Sequence, residues 1–470
     1  MAAPILVALV TIPLLIEGMG KERFGLLTII WMGVGYFSLF DLGLGRALTK
    51  MVAERLGKND LSDLGSLIWT AFLLLVILGA IGMLVVIALA TPLIDVLSVP
   101  VALQGEAVEA FYILAVSIPV VIVTAGLVGL LEAHQRFDLI AIIRIPLGIL
   151  TFTAPLLTVQ YDPSIALATA ALFLSRLFAL GAYYLVASRV RTELKHPQKP
   201  KRKLFSPLLG FGGWLTVTNI VGPLMTYLDR FLVGMILGLT AVAYYVTPYE
   251  VLSRLQILPQ AIMGVLFPAM ATANGGEQKR FVELYTHARH LVFWLMLPVT
   301  AGAFLLAPEA LQIWLGEDFR KASTPVMQWL ALGWMINALA RPAFTALQTA
   351  GRPDLVAKSH LAELIPYLLL LWWLSSLYGI AGTAAAWALR VAVDTFILNL
   401  LAMVRLPVLR EQVRRTFIYA VAILAGFTAL WSFDNLVWRF LLLISLSLLS
   451  LMMLWPLVVK AIGATPTLTR

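Results

Sequence analysis

Four stretches of this chain, Leu64–Ala90, Ala110–Leu131, Leu204–Leu228 and Phe440–Val459, contain no charged residue at all. Each reaches the roughly 20 apolar residues that a helix needs to cross a bilayer. Inside hydrocarbon every backbone N–H and C=O must be satisfied within the protein, which leaves only helices and closed barrels. Barrel strands alternate apolar and polar over about ten residues; these runs do not. The chain therefore reads as an all-α polytopic membrane protein. Composition agrees, since 61% of its residues are hydrophobic and 13% charged, against about 25% charged in soluble domains.

Hydropathy windows place about 14 transmembrane helices, beginning near residues 2, 24, 64, 107, 139, 164, 207, 240, 282, 322, 355, 380, 415 and 438. With the N-terminus inside, the cytoplasmic loops and tail hold 22 basic residues, the outer loops five, and seven lie within spans. That asymmetry orients both termini to the cytoplasm. It also accounts for the net charge of +9 without a nucleic-acid partner. The densest cluster, "SRVRTELKHPQKPKRK" at 188–203, reads as a topology anchor that meets anionic membrane lipids. The opening "MAAPILVALVTIPLLIEG" lacks the basic n-region of a signal peptide. It is short before Glu17, so the native start is expected upstream, or the first helix is truncated.

The basic loop divides the spans into a lobe at 1–188, a linker at 189–206, a lobe at 207–405 and an appended helix pair at 406–470. The two six-helix lobes are pseudo-symmetric. "EAHQRFDLIAIIRI" matches "QTAGRPDLVAKSHL", placing Arg136 over Arg352 at an offset of 216, and "AALFLSRLF" lies over "TAAAWALRVA", placing Arg176 over Arg390 at 214. "MGKERFG" lies over "LGLTAVAY". Duplicated lobes lead us to expect a central site opened to alternate sides by rocking.

Ionisable residues within spans are costly and mark function by default. The seven arginines are Arg144, Arg176, Arg230, Arg254, Arg289, Arg341 and Arg390. Arg289, beside His287 and His290, reads as interfacial, and Arg144 lies near an inner end. Three spans carry polar stripes at helical spacing: Thr216, Asn219, Pro223, Thr226 and Arg230; Tyr249, Ser253, Gln256 and Gln260 beside Arg254; and Asn337, Arg341, Thr345 and Gln348. Such stripes suit the wall of a wet cavity. Asp229, Glu250 and Asp394 are placed to neutralise Arg230, Arg254 and Arg390, or to couple transport to an ion. Surplus guanidinium groups suit a phosphate-bearing cargo, which the fork binds bidentately. Tyr183, Tyr184, Tyr227, Tyr244, Tyr245 and Tyr249 could stack on sugars, or anchor and pack helices.

"FDLGLGRALTK" at 40–50 resembles a phosphate loop only superficially, because a membrane helix and not a strand precedes it. Gly43 and Gly45 permit close packing or a bend. Asp41 and Arg46 are assigned to an inner gate; Arg46 and Lys50 either set topology or meet the incoming cargo. No catalytic constellation, metal-ligand spacing or cofactor motif is present, and cysteine is absent. Short outer loops argue against a membrane glycosyltransferase or polysaccharide polymerase.

The blocks "GKERFGLLTIIWMGVGYFSLFDLGLGRALTKMVAERLG", "TYLDRFLVGMILGLTAVAYYVTPYEVLSRLQILPQAIMGVLFPAMA", "QTAGRPDLVAKSHLAELIPYLLLLWWL" and "YGIAGTAAAWALRVAVD" together resemble the Wzx-type polysaccharide flippases. These belong to the multidrug/oligosaccharidyl-lipid/polysaccharide exporter superfamily. The resemblance implies transport of an undecaprenyl-diphosphate-linked oligosaccharide across a bacterial cytoplasmic membrane, alongside a polysaccharide polymerase and glycosyltransferases. It also implies a cationic lumen, mapped by position onto Arg176, Arg230, Arg254, Arg341 and Arg390. The alternative within the superfamily is another cargo, a lipid II-like precursor or a drug or cation. A cation exporter would line its cavity with acids, and here bases prevail.

Overall fold

The computed structural model describes residues 2–37, 43–57, 62–209, 228–274, 276–431 and 435–463. Asp41, Thr216, Asn219, Pro223, Thr226 and Tyr227 lie outside them. The described residues form helices joined by short turns: α1 (Ala2–Phe37), α2 (Leu44–Gly57), α3 (Leu64–Val96), α4 (Val101–Ala133), α5 (Phe137–Val159) and α6 (Ile165–Val190). Residues 205–209 are helical, and 228–237 form α7. There follow α8 (Leu239–Ser253), α9 (Ile257–Asn274), α10 (Gln278–Leu305), α11 (Ala307–Leu315), α12 (Glu317–Thr349), α13 (Pro353–Arg405), α14 (Arg410–Leu430) and α15 (Leu436–Gly463). Ten spans among them are long and apolar enough to cross a membrane.

Two pairs of expected spans are fused in α1 and α13, and glycines explain both. Gly20 sits at φ 79°, ψ 163° and Gly379 at φ 60°, ψ −143°, a region that only glycine occupies without strain. At Gly379 the chain folds back: Ser375 and Thr383 hydroxyls meet at 2.8 Å, although eight helical residues would span about 12 Å. The halves 353–378 and 380–405 are thus antiparallel neighbours.

The chain forms two compact units, Met1–Val246 and Thr247–Arg470. The first has a core from α2, α3, α4 and α6, including Leu48, Leu67, Ile68, Ile118 and Tyr183. Small residues permit close approach there. A Cβ on Gly129 of α4 would stand 2.7 Å from the Gly45 carbonyl oxygen, and Thr49 of α2 donates to the Gly129 carbonyl at 2.9 Å. Arg23 grips Glu106 through two hydrogen bonds of 2.7 and 3.1 Å, and Glu106 also accepts the Ile165 amide at 3.2 Å. One carboxylate thereby joins α1, α4 and α6.

Residues 191–204 are strapped onto the first turns of α3. Trp69 donates to the Glu193 carbonyl at 3.0 Å, Thr70 accepts the Lys201 amide at 3.0 Å, and Asp63 pairs with Lys201 and, at 3.1 Å, with Lys203. Hydrogen bonds from the two lysines hold the Asp63 carboxyl at about 2. Its folded value lies below its ordinary one, so the strap is intact above about pH 4 and is lost as pH falls through 2. At neutral pH Asp63→Asn is expected to speed tryptic cleavage after Lys201, Arg202 and Lys203; an unchanged rate would refute the strap.

In the second unit α12 is central. Its most apolar stretch is 83% buried, against 6% for that of Leu436–Pro456. Trp334 of α12 packs on Trp387 of α13 at 4.7 Å, and Tyr249 of α8 contacts both at 6.0–6.1 Å. The appended pair is pinned to α10 and α11 by two arginines. Arg289 donates to the Gln412 carbonyl beneath the Tyr419 ring, and Arg439 bonds the Leu305 carbonyl and Glu309. Arg289 is only 1% exposed, so it is an enclosed clamp between α10 and α14 and does not reach out to water.

The internal repeat is visible in the backbone. Arg136 holds Asp138 through Nε and Nη2 at 3.0 and 2.8 Å, and Arg352 holds Asp354 through the same atoms at 3.0 and 3.2 Å. The preceding residues, Gln135 and Gly351, both have positive φ. The Arg136 and Arg352 amides bond Leu131 and Leu347 at 3.0 and 2.9 Å, again 216 residues apart. Gly20 and Gly238, the paired glycines of the short links, are both left-handed.

Candidate cation-lined cavity

A cavity of about 330 Å³ opens within the first unit. Gly43, at φ 70°, turns the chain into α2, and the Gly45–Gly129 contact seats Arg46 at the cavity wall. Helix α4 lines it with Val121, Thr124, Val128 and Glu132 from one face, α5 with Arg144 and Leu147, and α6 with Arg176, Ala179 and Tyr183. Spacings of three and four residues put each set on one helical stripe. Three guanidinium groups face one carboxylate, a surplus of two positive charges. The Tyr183 hydroxyl donates to the Ile140 carbonyl at 3.3 Å and lies beside Arg144 and Arg176. The buried Nε of Arg176 has no hydrogen-bond partner. Just beyond Glu132, His134 accepts from Arg191 Nε at 2.7 Å while its Nδ1 meets the Leu130 carbonyl at 2.8 Å. Burial lowers its pKa, so the ring stays neutral at physiological pH and acts as an acceptor.

Arg46 and Arg176, assigned from sequence to gate and lumen, thus come together. Arg144 joins them, though sequence placed it merely near an inner end; hydropathy gives depth and not azimuth. The remaining candidates lie elsewhere. In the first unit Asp229 is fully buried and accepts the Tyr245 hydroxyl at 2.5 Å and the Arg230 amide at 2.7 Å. Tyr245 is therefore committed to a carboxylate, and Tyr249 to the two tryptophans. In the second unit Arg254 pairs with Glu250 at 3.1 Å. Gln256 meets Asn337 at 3.5 Å, so two of the polar stripes do converge.

Arg341, Arg390 and Asp394 belong to one cluster, with partners different from those expected. Arg390 lies 3.5 Å from Glu363 and over the Tyr367 ring, while Asp394 lies 3.2 Å from His360 and faces Arg341. Glu363 stands 27 positions before Arg390, and the fold-back at Gly379 brings the two together. Among the described residues no group of three or more His, Asp or Glu side chains is placed to hold a metal ion.

A bundle of membrane-spanning helices with an internal repeat and a charged cavity defines a transporter fold, and known structures share it. The chain resembles the lipid II flippase MurJ in an inward closed conformation, with a TM-score of 0.70 at 13% identity over 98% of this chain and 97% of that one. It also resembles an inward-facing multidrug resistance MATE family transporter of the MOP superfamily, with a TM-score of 0.69 at 15% identity over 87% and 96%. The chain belongs to the polysaccharide biosynthesis protein family, whose profile matches residues 19–324. It is 32% identical over 401 residues to a Shigella flexneri protein assigned as an O-antigen transporter, covering 85% of this chain and 94% of that protein. It is 26% identical over 210 residues to Agl15 of Haloferax volcanii, assigned as a low-salt glycan biosynthesis flippase, covering 44% and 43%.

Proposed function

We propose that this protein is a flippase for lipid-linked oligosaccharide. The carrying observation is a cavity with surplus guanidinium groups inside a polysaccharide-biosynthesis membrane protein. A prenyl-diphosphate glycan carries its anionic diphosphate between an apolar tail and a sugar head. Arg46, Arg144 and Arg176 would take the diphosphate through charge-assisted forked hydrogen bonds, and the tail would stay in lipid. Alternating access moves the head group, and a ligand shifts the two states only by its differential affinity for them. Release on the far face therefore requires that no state hold the diphosphate too tightly.

The assignment extends the reading made from sequence: lobes 1–188 and 207–405, linker 189–206, the pair 406–470, and both termini in the cytoplasm of a bacterium, as the excess of basic residues in alternate loops supports. Undecaprenyl diphosphate is the lipid, O-antigen, capsule or exopolysaccharide repeat units are the glycan, and a polymerase and glycosyltransferases act beside it. Cationic drugs are poor cargo for a cavity of this sign. In a host deprived of its own flippase, the chain is expected to restore surface glycan and to clear lipid-linked repeats from the inner leaflet. Failure to restore any repeat at normal protein level would reject the reading.

A further inference from the structure

The two repeats carry the same positions with different electrostatic content. Counted from the Arg136 and Arg352 clasps, Arg144 corresponds to His360 and Leu147 to Glu363. Counted from Arg176 and Arg390, Leu180 corresponds to Asp394. In the first repeat Arg144, Leu147 and Arg176 border an open cavity of about 330 Å³. In the second, the Leu147 position supplies the carboxylate 3.5 Å from Arg390, and the Leu180 position supplies the one 3.2 Å from His360. These carboxylates are 7% and 4% exposed. They face each other, Arg341 from α12, His360 and Tyr367 from the first half of α13, and Arg390 from the second. Two guanidinium groups meet two carboxylates, so the cationic surplus of the first repeat is cancelled here.

We propose that Glu363 and Asp394 are built-in anions occupying the second repeat's copy of the anion site, so that the cargo's phosphates are held by the first repeat alone. The inference rests on the anionic-cargo reading above. It makes the duplicated protein a single-site carrier. A second diphosphate approaching Arg390 would have to displace a carboxylate already placed there and leave it buried without a counter-charge, which is strongly unfavourable. The second repeat is therefore closed to phosphate, and Glu363 and Asp394 determine that selectivity without touching the cargo.

The test is calorimetric titration of inorganic pyrophosphate into the purified full-length protein in detergent. The wild type is expected to bind one pyrophosphate, and Arg176→Ala none. Glu363→Leu/Asp394→Leu, which restores the first repeat's residues, is expected to bind two, and the same double change combined with Arg176→Ala to bind one. Thermal unfolding checks each variant, and Glu363→Gln/Asp394→Asn serves if the leucines fail to fold. The reciprocal Leu147→Glu/Leu180→Asp is expected to abolish binding. Folded charge-removed variants that bind no more pyrophosphate than wild type would overturn the proposal, as would a wild type that binds two. A wild type that binds none, with a double variant that gains one, would refute the first-repeat cavity as the phosphate site and uphold the masking of the second.

Discussion

Replacing Arg144 and Arg176 together by alanine is expected to abolish surface polysaccharide in the complemented host while membrane levels of the protein stay near wild type. Each hydrogen-bonded charged contact contributes about 1.5–3 kcal/mol, so losing two weakens diphosphate binding by about 10²–10⁴-fold. The protein itself loses little. The buried Arg176 Nε bonds nothing within it, so truncation there breaks no hydrogen bond of that atom. Lysine at both positions keeps the charge but not the fork, and is expected to leave partial function. Wild-type polysaccharide in the double alanine variant would show that the cavity is not the cargo site. Lost protein in that variant would show that the arginines are structural.

Gly379→Ala has the second largest expected effect. At φ 60° and ψ −143° an L side chain is strained by about 1–3 kcal/mol, and the turn has no other route. Straightened, the 53 residues of α13 would run for about 80 Å through a hydrocarbon core of about 30 Å. The variant is expected to melt lower in detergent and to reach lower membrane levels, since the Arg390–Glu363 and His360–Asp394 pairs depend on the same fold-back. Gly105→Ala is the control: that glycine is helical, with open space around it, and the substitution is expected to be neutral or slightly stabilising. Equal melting of Gly379→Ala and wild type would refute the hinge.

Much of the architecture was legible because bilayer thickness acts on every span alike. Charge-free runs gave the helices, and the windows beginning near 24 and 380 fell within four residues of the glycines that break α1 and α13. The Arg-x-Asp-Leu pair gave the repeat because a clasp spanning two residues is local. What escaped was whatever depends on helix rotation or distant pairing. Arg144 looked peripheral because hydropathy cannot tell a cavity-facing side chain from a lipid-facing one at the same depth. Asp394 looked like the partner of Arg390 because it lies one turn away, and nothing local announces Glu363. Arg289 read only as interfacial, and its clamp went unseen, because its acceptor is a backbone carbonyl, which leaves no mark on side-chain identity.

That last contact has a consequence for biogenesis. The acceptor of Arg289, the Gln412 carbonyl, lies 123 residues downstream. At a synthesis rate of about 5–20 residues per second, the guanidinium enters the membrane about 6–25 s before its acceptor exists. The nascent bundle must meanwhile keep this charge near lipid headgroups, in water or against the insertion machinery. The second unit therefore cannot finish assembling until α14 arrives, and translation of the final helix pair becomes the closing step of maturation.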